Sequence, residues 1–354
     1  MRIIKVQSNG SIKEDAFVNR SKYLKAIHDI AESYLSAVHQ SGILTTDMDG
    51  VLIHDDNAIM AARIVSGPEA QVWFGRYADA NLVAVAEGMA AYCWYAPTLF
   101  VGRLLKGLSP EINRVVGRHI RLIPGAEKHI DNLLELGYDI TAVTAGHQES
   151  AEEISNRVNI GVTYGTQLGV SDDGVYDGIV QRFIGGSHKL DVVEKILEHE
   201  GKFVGTHVGD SWSDIETLAG IPDSVAYNPG CELALRNARI SVLGVSLLSL
   251  LPFFDPEGKY DSLLKNTDLP DTVILMLGQP GPTGLTKLFA DSREIKKKWI
   301  NALLDGQQGS ALEIEERIKS ELREKGVDFR TRYSDFMSVD EFDAYAKKAY
   351  EDLE

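Results

Sequence analysis

Cysteine is nearly absent from this 354-residue chain: Cys93 and Cys231 stand far apart, without metal-ligand spacing or a histidine pattern beside them. That argues against a disulfide scaffold and against a zinc site, and it fits a reducing, cytoplasmic setting. Basic runs are missing too. With 36 Lys and Arg against 52 Asp and Glu the formal charge is -16, so no nucleic-acid surface is expected, and any anion the chain handles needs a local cation. No apolar run reaches the roughly 20 residues that cross a bilayer. The uncharged stretch from Gly88 to Gly102 is bounded by Glu87 and Arg103 and interrupted by Pro97, and Ile240 to Phe254 is similarly short. Both read as buried helices or an oligomer interface. The start, Met1-Arg2-Ile3-Ile4-Lys5, runs into polar sequence without the apolar core of a secretory leader, so neither export nor membrane insertion is expected.

What is present is ordinary globular sequence, 44% apolar and 25% charged, long enough for two domains. Phe17, Tyr23, Leu24, Ile27, Ile30, Ala31, Tyr34, Leu35 and Val38 recur at helical spacing, so a helix from about Glu14 to Gln40 is expected to lead into a strand at Ile43. From Asn57 to His119 the sequence turns Ala-rich and aromatic with helical period, which predicts a helical insertion. Strand and helix then alternate. A helix from Ala126 to Leu136 stops at Gly137, and a buried strand follows over Asp139 to Thr144. Gly161 to Phe183 reads as hairpin or edge structure, Lys189 to His199 as a helix, and Phe203 to Gly209 as a strand. Val225-Ala226-Tyr227 and Ile240 to Leu243 are expected to finish the sheet, and charged helical sequence runs from about Ser292 to the end. This pattern predicts an α/β fold, a Rossmann-like doubly wound parallel sheet built from residues 1–56 and 120–254. A helical insert over 57–119 and a helical C-terminal extension over 255–354 complete the expected organisation.

Chemistry concentrates at the ends of the expected strands. Asp47-Met48-Asp49-Gly50-Val51 follows Ile43-Leu44-Thr45-Thr46 and puts two carboxylates at a strand mouth, where open α/β sheets hold their sites. Thr144, Lys189 after Gly-Gly-Ser-His, and Gly209-Asp210 with Asp214 fall at comparable places. Together they suit phosphoryl transfer, which needs an in-line nucleophile, cations and oriented donors. Asp47 is the expected nucleophile, and Asp49 the acid that protonates the leaving alcohol and then activates water. Lys189 would neutralise the phosphate, while the Thr144 hydroxyl and the N–H groups of Ala145 and Gly146 donate to it. Asp210 and Asp214 suit Mg²⁺, a hard cation that takes oxygen ligands.

These four motifs, in this order, resemble the haloacid dehalogenase superfamily over roughly Ile43 to Leu243, and Ile123 to Thr144 looks like its phosphoserine phosphatase branch. The resemblance implies that the insert is a cap between the first and second motifs. It also implies Mg²⁺ on Asp47, the Asp49 carbonyl and Asp210 with Asp214 assisting, and a Gly50 N–H offered to phosphate. Where phosphoserine phosphatases carry a cap glutamate against the substrate amine, this chain has Asp56, preceded by Asp55. That points away from phosphoserine itself, and the two acids suit either a cationic group on the substrate or solvated helix-cap positions. The expected activity is Mg²⁺-dependent hydrolysis of a small phosphorylated metabolite through an aspartyl-phosphate. Asp49 favours this over dehalogenation, since expelling a halide needs no protonated acid. A phosphotransferase or mutase is the enzymatic alternative. A second likeness, over Tyr227-Asn228-Pro229-Gly230 to Ala238-Arg239, is to archaeal members labelled hydrogenase accessory subunits, which implies a non-catalytic alternative. The apolar cap and C-terminal surfaces would serve self-association.

Overall fold

The computed structural model describes residues 1–68, 72, 90–264, 268–278, 282–305, 309–330 and 339–351. The β-branched residues of Arg2-Ile3-Ile4-Lys5-Val6 favour strand β1 (Arg2–Val6), which turns back into β2 (Ile12–Ala16). Helix α1 (Arg20–Tyr34) begins only after Asn19, whose side chain accepts the Lys22 N–H, and α2 (Ser36–Ser41) ends at Gly42. The helix expected from Glu14 therefore starts six residues later, because Glu14 lies within β2 and pairs with Ile4.

The core alternates as expected. It contains β3 (Ile43–Thr46), α3 (Asn57–Ser66), α4 (Ala90–Leu104), α5 (Glu111–His119), α6 (Ala126–Glu135), β4 (Asp139–His147) and α7 (Gln148–Arg157). There follow β5 (Val162–Val170), β6 (Tyr176–Arg182), α8 (Ser187–Leu197), β7 (Gly205–Gly209), α9 (Ile215–Gly220), β8 (Val225–Tyr227), α10 (Glu232–Asn237) and β9 (Ile240–Leu243). The sheet does not end there. β10 (Thr272–Met276) pairs antiparallel with β9 and parallel with β1, giving the order β2-β1-β10-β9-β8-β7-β3-β4-β5-β6. The C-terminal segment expected to be helical thus supplies a fully buried strand before α11 (Pro282–Asp305), α12 (Ala311–Glu324) and α13 (Val339–Glu351).

The central strands β4, β3, β7, β8 and β9 run parallel, and β7, β8 and β9 are buried along their length. That is the signature of a sheet covered on both faces. Parallel strands aim their C-terminal ends at one edge, so Asp47 and Asp210, each just past such an end, converge with Thr144 in the last half of β4.

Helix α4 runs through Pro97, which does not interrupt it. Tyr95 and Phe100 are buried, Tyr95 edge-on to Phe183 and Phe100 edge-on to Phe342 of α13. The side chains of Tyr92 and Trp94, and Arg76, lie outside the described residues. Several of the insert's described arginines are engaged by partners within the chain. Arg63 pairs with Glu315, Arg118 with Glu111, Glu153 and Glu321, and Arg103 lies over the Tyr345 ring. Helices α12 and α13 therefore bind the described part of the insert through ion pairs and ring contacts. No helix among the described residues is long and apolar enough to cross a membrane.

Candidate active site

Strand β3 fixes Asp47 from both sides: its N–H donates to Val208 O at 2.8 Å, and the Met48 N–H donates to its Oδ1 at 2.7 Å. The chain then doubles back, with the N–H of Leu52 on Met48 O and that of Gly50 on Ile53 O. Gly50 takes φ +80°, and a Cβ there would stand 2.1 Å from Asp210 Oδ2. Only glycine lets the first loop pass this close to the fourth.

Beneath that crossing lies a buried chain of charges. Lys189 Nζ is 2.9 Å from Asp47 Oδ1 and 2.5 Å from Asp214 Oδ1, all three side chains being at most 2% exposed. Asp214 Oδ2 accepts the N–H groups of Asp210 at 3.1 Å and Ser211 at 3.3 Å, so this one carboxylate ties the lysine to the loop that carries Asp210. Burial opposes every charge here, and the neighbours decide the outcome. Burial and then Asp214 push the Asp47 carboxyl well above the usual range, against Lys189. Burial works against Lys189 as well, yet Asp214 and Asp47 raise it, and Lys189 with His207 holds Asp214 far below the ordinary carboxylate value.

Asp49 stands apart from this network. Its Oδ1 accepts the Asn57 N–H at 2.9 Å, and its Oδ2 accepts Asn57 Nδ2 at 3.1 Å and the Thr144 hydroxyl at 3.2 Å. Burial, then the Asp56 charge, raises its pKa to about 8, so the proton it would give or take is exchangeable near neutral pH. Thr144 also accepts the Gly146 N–H at 3.0 Å. These two expected phosphate donors are thus turned to each other and to Asp49.

A cavity of about 250 Å³ opens against Asp49, Gly50, Asp56, Ala145, Gly146, Asp210 and Trp212, with His54 and Thr98 on its wall. It is smaller than the roughly 300–1,000 Å³ of drug-sized ligand sites. Asp47, Thr144 and Lys189 are buried and do not line it. The two acids near the insert part company. Asp55 is held in a fork by Arg121, Nε to Oδ2 at 2.7 Å and Nη2 to Oδ1 at 2.5 Å, while Asp56 lines the cavity and caps α3 through Ile59 N–H.

One carboxylate oxygen each from Asp47, Asp210 and Asp214 lies within 4.8 Å of the others, a hard-oxygen set that fits Mg²⁺ and not zinc. Both Asp214 oxygens already accept hydrogen bonds, which casts it as support for Asp47 and Asp210. Two neighbours escaped sequence reasoning. Asn57 carries no motif signal, and His207, on β7, is a lone histidine in an apolar strand; its burial between Thr45 and Asp214 needs the fold to be seen.

A family profile for haloacid dehalogenase-like hydrolases matches residues 44–219, the stretch that holds Asp47, Thr144, Lys189 and Asp210. The chain belongs to this superfamily. A phosphoserine phosphatase from Archaeoglobus fulgidus is 29% identical over 99 residues, 28% of this chain and 29% of that protein's own length. Among solved structures, an Archaeoglobus fulgidus gene product superposes with a TM-score of 0.58 at 16% identity, covering 75% of this chain and 98% of that one. A phospho-aspartyl intermediate analogue of phosphoserine phosphatase gives 0.50 at 22% identity, covering 60% and 97%. At these identities the structural likeness is one of fold.

Proposed function

We propose that the protein is a phosphoric monoester hydrolase, a Mg²⁺-dependent phosphatase of small phosphorylated metabolites that works through an aspartyl-phosphate on Asp47. The observation that carries this is Lys189, fully buried and bridging Asp47 and Asp214, beside an Asp49 carboxylate held by Asn57 and Thr144. Asp47 Oδ1 already holds Met48 N–H and Lys189, so we assign the attack to Oδ2. That oxygen forms the bond to phosphorus as the ester P–O bond breaks, and protonated Asp49 gives its proton to the departing alcohol. Asp49, now a carboxylate, takes a proton from the water that attacks phosphorus next, releasing phosphate and restoring Asp47. Thr144 Oγ1 lies 3.2 Å from Asp49; turning its hydroxyl to the phosphate frees Asp49 for the leaving group.

Asp47, Asp210 and the Asp49 carbonyl would hold Mg²⁺, with Asp214 assisting. When bound, the ion supplies charge that lets a carboxylate approach a phosphate dianion. Ala145, on the cavity wall, is assigned to the same phosphate, whereas the Gly50 N–H expected there already donates to Ile53 O at 2.9 Å. Asp56, on the wall, favours a leaving group with a positive charge, whereas Asp55 is held by Arg121 away from the cavity lining. The setting we assign is cytoplasmic, consistent with the free thiol of Cys231.

The test is phosphate release from a panel of metabolite phosphates with Mg²⁺, with EDTA, and with Asp47→Asn. We expect turnover of at least one small ester, lost with EDTA and lost in the variant. A folded, Mg²⁺-supplied protein that hydrolyses none of them overturns the proposal.

A further inference from the structure

The reaction as drawn leaves one buried titratable side chain beside the site unused. His207 sits in the middle of β7, fully buried, with Nε2 3.1 Å from Asp214 Oδ1 and Nδ1 3.0 Å from Thr45 Oγ1 on the adjacent β3. A hydroxyl can donate to an imidazole nitrogen, and a carboxylate can only accept. Facing a carboxylate that only accepts, Nε2 carries the ring's proton and points it at Asp214, which leaves Nδ1 to accept from the Thr45 hydroxyl, itself also 3.4 Å from Thr206 O. Burial favours the neutral ring, against the pull of the Asp214 charge.

Asp214 is the hinge of the site. Its Oδ1 is shared by Lys189 and His207, and its Oδ2 holds the backbone of Asp210 and Ser211. The Lys189 ammonium lies between two carboxylates, 2.5 Å from Asp214 and 2.9 Å from Asp47. Its place therefore depends on where the Asp214 plane is held. The donor opposite Lys189 on Oδ1 comes from a strand, so it is fixed by the sheet itself rather than by a loop. A hydrogen-bond donor on a packed strand sets the angle of its acceptor more firmly than one on a flexible segment.

We infer that His207 is a positioning residue, which by donating from Nε2 holds the Asp214 carboxylate so that Lys189 and the Asp210 loop stay aimed at Asp47. The inference rests on the phosphatase reading for its kinetic consequence, and on geometry alone for the contact.

The experiment compares His207→Phe, which fills the space without a donor, with His207→Gln, whose Nε2 can reach the same oxygen. Both are assayed on the best ester of the panel, with circular dichroism and melting as controls and ¹⁵N-histidine spectra of the wild type. We expect kcat to fall about 10–100-fold in His207→Phe with KM within about threefold, the scale seen when an outer partner of a site is removed. His207→Gln should recover most of that loss at similar stability, which a packing role would not produce. The spectra should show the Nε2–H tautomer. An active wild type with a folded, equally active His207→Phe overturns the inference and leaves the phosphatase reading standing. A wild type inactive on every ester defeats that reading instead, and the spectra then decide on His207, because an Nδ1–H tautomer contradicts the assigned contact. If His207→Phe does not fold, the Gln variant decides: a kcat matching the wild type supports the donor role, and a kcat at background overturns it.

Discussion

A methyl group at Gly50 would land 2.1 Å from Asp210 Oδ2 on a backbone with φ +80°. Gly50→Ala is therefore expected to displace Asp210, abolish cation-dependent turnover and cost about 1–3 kcal/mol in strain; urea melts and the ester assay check both, and an active, equally stable variant contradicts it. His129 offers a stability test at the same scale. It is buried near Phe254, and burial alone lowers its pKa from 6.5 to about 3. The unfolded chain takes up that proton near pH 6.5 and the folded chain only near 3. The neutral ring's contribution is thus complete above 6.5 and is lost as pH falls toward 3, by about 1.4 kcal/mol per pH unit. His129→Phe should show a shallower loss of stability between pH 6.5 and 4.5 in urea titrations; parallel curves would refute this. The residues legible in the sequence are those whose spacing carries chemistry: Asp47, Asp49, Thr144, Lys189, Asp210 and Asp214 all meet at one sheet edge. His207 was not legible, because one histidine in an apolar strand looks the same whether or not a carboxylate faces it.

At the scale of elements, α3 is the piece that organises Asp49. Its first residue, Asn57, is fully buried, donates to Asp49 from backbone and side chain, and accepts the His147 N–H at 3.2 Å and the Ser150 hydroxyl at 3.0 Å. This links the first loop to the start of α7 through one amide. Asn57→Ala should remove one partner each from the Asp49 carboxylate, the His147 N–H and the Ser150 hydroxyl, lowering stability by about 1–3 kcal/mol and kcat about 10–100-fold. Chemical denaturation and single-turnover kinetics on the same ester would reveal it, and an unchanged kcat would show that Asp49 needs no such anchor. Elements with a clean period were readable: α6, β4, α7 and α8 fall where the apolar spacing puts them. β10 was not, since Thr272-Val273-Ile274-Leu275-Met276 is too short a run to tell strand from helix by periodicity. The end of β2 was missed because the helical period of α1 was extended back to Glu14.

For the whole molecule, the C-terminal helices are tied to the insert rather than hanging free as an appendage. Glu321 of α12 accepts from Arg118 Nε at 3.0 Å and pairs with His119 Nε2 at 2.6 Å, and Tyr95 donates to Ala349 O at 3.2 Å. Removing that carboxylate in Glu321→Ala should lower stability by about 1–2 kcal/mol, seen as an earlier urea midpoint with the catalytic residues untouched; an unchanged midpoint would mean the tie is only superficial. Long-range ties of this kind leave no local pattern, which is why the role of residues beyond 254 could not be read before the fold. The covalent step at Asp47 remains the centre of the account. The most direct measurement is borohydride trapping during turnover of the best ester, followed by peptide mass spectrometry, because reduction of an aspartyl-phosphate leaves homoserine in place of the aspartate. Conversion confined to position 47 and absent in Asp47→Asn is the predicted result; steady turnover with Asp47 unmodified, or trapping at another residue, would contradict it.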